Sequence, residues 1–143
     1  MTPPQIEQWR ELATKYAIAP LLPNEILAII WSESSGNQNA KNPADPSWGL
    51  MGLTRPIAIA YGETQDLIHL MDPETNIRIG AAFLRYLKVQ YFANYGNGYV
   101  AAYNEGEGNL LKGIPDQDYV NAFNAHLNEL DAQTFDSHEQ PQT

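Results

Sequence analysis

The 143 residues contain no cysteine, so disulfides, thiolate metal sites and cysteine nucleophiles are excluded. Cationic side chains are scarce: eight Lys and Arg stand against seventeen Asp and Glu, a formal net charge of -9. Neutralising phosphate groups takes Lys and Arg, so neither nucleic acid nor an anionic lipid surface is an expected partner. Long hydrophobic runs are also missing. The longest, Ile26 to Trp31, is far too short to span a bilayer, and no membrane insertion is expected. His69, His126 and His138 lie too far apart for metal-ligand spacing and no HExxH run is present, so no metal or other cofactor is expected. Gly96-Asn97-Gly98 lacks the further glycine and the preceding strand of a phosphate-binding loop. The opening Met1-Thr2-Pro3-Pro4-Gln5 has neither the basic start nor the apolar stretch of a signal peptide.

The remaining composition, 43% hydrophobic with 10% aromatic and 17% charged residues, belongs to a folded globular chain. The length fits one domain, expected over 1–130 and followed by a polar, frayed tail over 131–143. The acidity is uneven. Residues 105–143 hold eight acids and the single base Lys112, while residues 1–104 hold nine acids and seven bases. A solvated face is the simplest reading of that excess.

The fold class expected is all-α, with at most a short β-hairpin in a long loop over 37–53. Ile6, Trp9, Leu12, Ala13 and Tyr16 recur every three or four residues, which predicts a helix over 5–18. A second helix runs from about Asn24 to Ser35 and stops at Gly36. Helical spacing returns over Pro56–Tyr61 and Gln65–Met71. Asp72-Pro73 is a strong helix start, and Ile77, Gly80, Ala81, Leu84, Leu87 and Tyr91 trace one face of a long helix to about 91–93. A short helix over Tyr99–Asn104, a tight loop at 105–108 and a last helix over 116–130 complete the reading.

One carboxyl stands out. Ile26, Ile29, Ile30 and Glu33 fall at i, i+3, i+4 and i+7, so Glu33 ends the apolar stripe of its helix beside the long loop. Burial there would disfavour the charged form and suit a general acid; alternatively, a carboxyl at a helix end bends out to water. Asp45 is the second carboxyl within reach, and its setting in Asn42-Pro43-Ala44-Asp45-Pro46 fits a turn-former.

The neighbouring text decides between these. Glu33-Ser34, then Gly49-Leu50-Met51, then Ala102-Tyr103-Asn104 with Gly106 and Gly108-Asn109, in that order, resemble the catalytic domain of the soluble lytic transglycosylases, of lysozyme-like fold. Asp72-Pro73-Glu74-Thr75-Asn76-Ile77 with Gly80 resembles that family's entry into its long helix. The resemblance spans roughly 20–127. Two positions depart from the pattern inside the motifs: Gly52 stands where the family usually has Gln, and Glu105 where it has Ala. Thr54 replaces a frequent Met lining the cleft.

The resemblance implies cleavage of peptidoglycan glycan strands, with Glu33 as acid and then base and a 1,6-anhydromuramyl product. It implies that Tyr103 points into the cleft beside Glu33, and that Ser34, Trp48, Gly49, Met51, Gly52, Thr54 and Asn104 contribute to substrate binding. Read without the resemblance, Tyr103 is a core tyrosine, Ser34 a helix cap and Gly49 a backbone enabler. Two alternatives stay open: a goose-type lysozyme-like hydrolase on the same scaffold, and a silent glycan-binding or virion module. A monomer is expected. The setting expected is a phage lysis or virion-associated enzyme that accumulates in the cytoplasm and reaches the wall through a holin, or travels on the particle.

Overall fold

A computed structural model describes residues 2–44, 46–62 and 67–139, the last six of these by backbone alone. The turn expected at Asp45, the first part of the Gln65–Met71 segment and the tail over 140–143 lie outside the described residues. The chain order is α1 (Pro4–Glu7), α2 (Arg10–Tyr16), α3 (Pro23–Ser34), β1 (Lys41–Asn42), β2 (Ser47–Trp48), α4 (Arg55–Ala60), a 3-10 turn (Leu67–Met71), α5 (Pro73–Tyr95), a second 3-10 turn (Gly96–Tyr99), α6 (Val100–Glu105), α7 (Glu107–Leu111) and α8 (Gln117–Glu139). Over the described residues the fold is helical, with a short antiparallel strand pair in the long loop, Lys41 opposite Trp48 and Asn42 opposite Ser47.

The centre is α3. Its residues from Glu25 to Ile30 are all buried, because α8, α2 and α5 pack around it; the unbroken apolar run from Ile26 to Ile30 leaves that stretch without a solvent face. Ile77, Leu84 and Leu87 of α5 and Val120, Phe123 and Leu130 of α8 close the core. Glu25 is buried but fully engaged. It accepts from the Leu22 N–H at 2.8 Å, the Lys88 ammonium at 2.7 Å and the Tyr99 hydroxyl at 3.0 Å, which offsets the cost of removing a charge from water.

Four segments differ from the sequence expectation. The helix expected over 5–18 is split at Gln8–Trp9, because the Trp9 indole N–H turns to donate to the Gly36 carbonyl at 3.0 Å. The tight loop expected at 105–108 is a single break at Gly106, with φ 92°, and Gly108 continues in α7. The helix expected over 65–71 is, where described, a 3-10 turn over Leu67–Met71. The frayed tail expected from 131 is helical to Glu139: no Gly or Pro interrupts 116–139, and the Thr2 N–H donates to the Gln133 side chain at 2.6 Å. The start of α5 follows its capping chemistry, with the Asp72 carboxylate accepting from the Thr75 N–H and hydroxyl, each at 2.9 Å.

Candidate active site

Glu33 lies in the last turn of α3, half-buried. The helix stops immediately after it, because Ser35 and Gly36 take positive φ of 52° and 86° and turn the chain away. Ser34 serves this ending. Its hydroxyl donates to the Ile30 carbonyl and accepts from the Gly36 N–H, both at 3.1 Å.

The turn over 49–52 forms the facing wall. Gly52 has φ 62°, and a Cβ placed on it would stand 2.5 Å from Glu33 Oε1. Glycine takes this φ without strain and lets the backbone pass close to the carboxyl with Glu33 in its present position. Gly49 is equally confined: a Cβ there would meet the Asn76 amide at 2.2 Å and the Leu70 carbonyl at 2.3 Å.

Asn76, buried in the first turns of α5, organises this wall. Its Oδ1 accepts from the Met51 N–H at 2.8 Å, and its Nδ2 donates to the Trp48 carbonyl at 2.9 Å and the Leu70 carbonyl at 2.8 Å. On the other side, the Tyr103 hydroxyl of α6 donates to the Met51 carbonyl at 2.6 Å. The Met51 peptide groups are therefore gripped by two helices. The Met51 side chain is buried, close against Gly80 on α5, away from the groove.

The second oxygen of Glu33 is taken from the opposite side. The Tyr119 hydroxyl on α8 donates to Glu33 Oε2 at 2.6 Å. Burial, and then the Glu33 charge, push both the Tyr119 and the Tyr103 hydroxyls well above the ordinary tyrosine range, so both remain protonated donors wherever Glu33 is ionised. Tyr103 also continues into a row of rings, 5.3 Å from Phe83, itself 5.8 Å from Tyr61.

Glu33, Gly49 and Gly52 line one groove, with a cavity volume of about 60 Å³. Lys41, Asn42 and Ser47 from the β-pair, with Ala40, complete it. Trp48 lies between two groove residues with its ring packed against the core. Thr54 precedes α4. The Asn104 side chain donates to Asp116 Oδ2 at 3.0 Å. Among the described residues no group of His, Asp and Glu is arranged to hold a metal ion, and no helix is long and apolar enough to cross a membrane.

Sequence reasoning missed Tyr119, Asn76 and Lys41. Tyr119 reads as one more core residue on the stripe of α8. A buried tyrosine that requires a partner for its hydroxyl was the available signal.

This geometry has relatives. The family model described as "Transglycosylase SLT domain" matches residues 7–125. The membrane-bound lytic murein transglycosylase C of Klebsiella pneumoniae is 33% identical over a match covering 80% of this chain and 34% of that protein. Its counterpart from Pectobacterium atrosepticum is 34% identical, covering 72% and 31%. The chain thus spans about a third of the length of these curated relatives. Among solved structures, the 70 kDa soluble lytic transglycosylase of Escherichia coli superposes with a TM-score of 0.71 at 25% identity, covering 85% of this chain and 24% of that one. A complex of the 70 kDa soluble lytic transglycosylase with bulgecin A gives 0.65 at 26% identity, covering 82% and 19%. The family match runs unbroken from the end of α1 into α8, with Glu33, the 49–52 turn, Tyr103 and Tyr119 inside it, and by that extent the chain belongs to the transglycosylase SLT domain family.

Proposed function

We propose that this chain is a peptidoglycan lytic transglycosylase, acting as a monomer on the bond between N-acetylmuramic acid and N-acetylglucosamine. The observation that carries the reading is the setting of Glu33. It is the one carboxyl among the described groove residues, with the Gly52 backbone against one oxygen and the Tyr119 hydroxyl on the other.

In the reaction proposed, protonated Glu33 gives its proton to the glycosidic oxygen as the bond to the muramyl C1 breaks. The carboxylate then takes the proton of the muramyl C6 hydroxyl while that oxygen bonds to C1, closing a 1,6-anhydro ring. One proton passes from O6 to the leaving oxygen and no water is consumed. Ordinary glycosidases divide these tasks between two carboxyls; here a single group serves twice, and Tyr119 donates to it in its charged state. The SLT family match and the relatives named lytic murein transglycosylases support the same chemistry. The setting expected from sequence, a phage lysis or virion-associated enzyme released through a holin or carried on the particle, belongs to the proposal and is testable by fractionating the producing cells and their virions.

Purified peptidoglycan digested with the wild type and with Glu33→Gln tests the reading by mass spectrometry. Anhydromuramyl ends made by the wild type and lost in the variant are the expected result. Reducing ends would make the chain a hydrolase. No Glu33-dependent product at all would leave a silent glycan-binding module.

A further inference from the structure

Glu105 stands where the family resemblance calls for alanine, at the end of α6. Its carboxylate reaches across the 106–115 segment. Oε1 accepts from the Asp116 backbone N–H at 2.8 Å, a bond between residues eleven apart in sequence. The preceding residue, Asn104, donates to the Asp116 side chain at 3.0 Å. The end of α6 thus holds Asp116 by both its backbone and its carboxylate.

Asp116 is the residue from which α8 starts. Its Oδ1 accepts from the Tyr119 N–H at 3.1 Å and its carbonyl from the Val120 N–H at 3.2 Å, closing the first turn of the helix. Tyr119 sits in that turn, and its hydroxyl reaches Glu33 at 2.6 Å. The chain of contacts runs Glu105, Asp116, Tyr119, Glu33. The segment being closed buries Leu110 in the core but leaves Leu111 and Ile114, the residues nearer α8, largely exposed.

We infer that Glu105 is a positioning residue for the acid. By clipping the first turn of α8 onto α6 it sets the reach of the Tyr119 hydroxyl to Glu33, a task the alanine of the family pattern cannot perform. The inference rests on Glu33 being the reactive carboxyl, as proposed above. Among the described residues, Tyr119 from α8, Tyr103 from α6 and Lys41 across the groove face Glu33; Asp116 lies one contact beyond Tyr119, and Glu105 two.

The test compares wild type, Glu105→Ala, Glu105→Gln, Tyr119→Phe and the Ala/Phe double variant. Glu105→Ala is expected to lower kcat roughly tenfold with KM nearly unchanged, the effect of one misplaced hydrogen bond on the barrier. Glu105→Gln, which keeps an acceptor oxygen, should restore most of it. The double variant should be no slower than Tyr119→Phe alone, because both changes cut the same chain. An activity-free readout runs beside these: the NMR titration of the Glu33 side-chain carbonyl. Losing a donor to the carboxylate moves its midpoint upward, equally in Glu105→Ala and Tyr119→Phe and no further in the double variant. An unchanged kcat and midpoint in Glu105→Ala would overturn the inference. So would a loss that tracks a fall in Tm and is not rescued by Gln. If the wild type yields no Glu33-dependent product, the functional reading falls while the titration still decides the role of Glu105.

Discussion

At the residue scale, the wall opposite the acid depends on one amide. Asn76 gives and receives three hydrogen bonds in a buried site, so Asn76→Ala leaves the Met51 N–H and the Trp48 and Leu70 carbonyls without that partner. A loss on the order of 3 kcal/mol in urea unfolding is expected, and a loss under about 1 kcal/mol would contradict the assignment. Asn76→Asp should not rescue, because a carboxylate keeps the acceptor for Met51 but turns an oxygen toward two carbonyls. Helical spacing places Glu33 at the end of an apolar stripe, where the structure has it, and the part of the acid came only from the resemblance of the neighbouring motifs. Tyr119 was not legible in the sequence, since its partner lies eighty-six residues away and nothing local distinguishes its hydroxyl from that of a core tyrosine. The role of Asn76 was hidden for the same reason: a motif fixes its place on α5 but not the three backbone groups it meets.

At the element scale, α3 and α8 share a stacked pair, Trp31 and His126, with ring centres 4.3 Å apart and planes inclined by 14°. Burial holds the His126 imidazole below its ordinary range. The unfolded chain therefore binds this proton more readily than the folded one, and the contribution of the pair is present above about pH 6.5 and declines below it. Tm measured from pH 8 to pH 5 should fall through the lower part of that range, and His126→Gln should flatten this part of the curve. An identical fall in the variant would assign the effect to other groups. The long helices were legible because their periodicity is strong and Asp72-Pro73 marks a start. The joints were not. Glycine-rich text at 105–108 reads as a loop, although Gly106 alone takes the positive φ that breaks a helix. The split at Trp9 depends on a carbonyl at Gly36 that only the folded chain brings near.

At the scale of the whole molecule, the net charge of -9 sets the terms on which the proposed enzyme meets a wall that carries anionic polymers. Attraction then comes from uncharged sugar contacts in the groove, and screening removes repulsion. The clearing rate of a peptidoglycan suspension should hold or rise as salt goes from low to moderate; a steep drop would contradict this. The overall architecture was legible because helix periodicity and three ordered motifs agree, while the clamp of α5 and α6 on the 49–52 turn emerges only from their packing. That clamp also fixes how closely the turn approaches the acid. With Gly52 at φ 62° and its missing Cβ directed at Glu33, a side chain placed at this position would require the Glu33 carboxyl to move. Position 52 and the Glu33 carboxyl thus share one volume, so a side chain added at the turn is felt first by the acid.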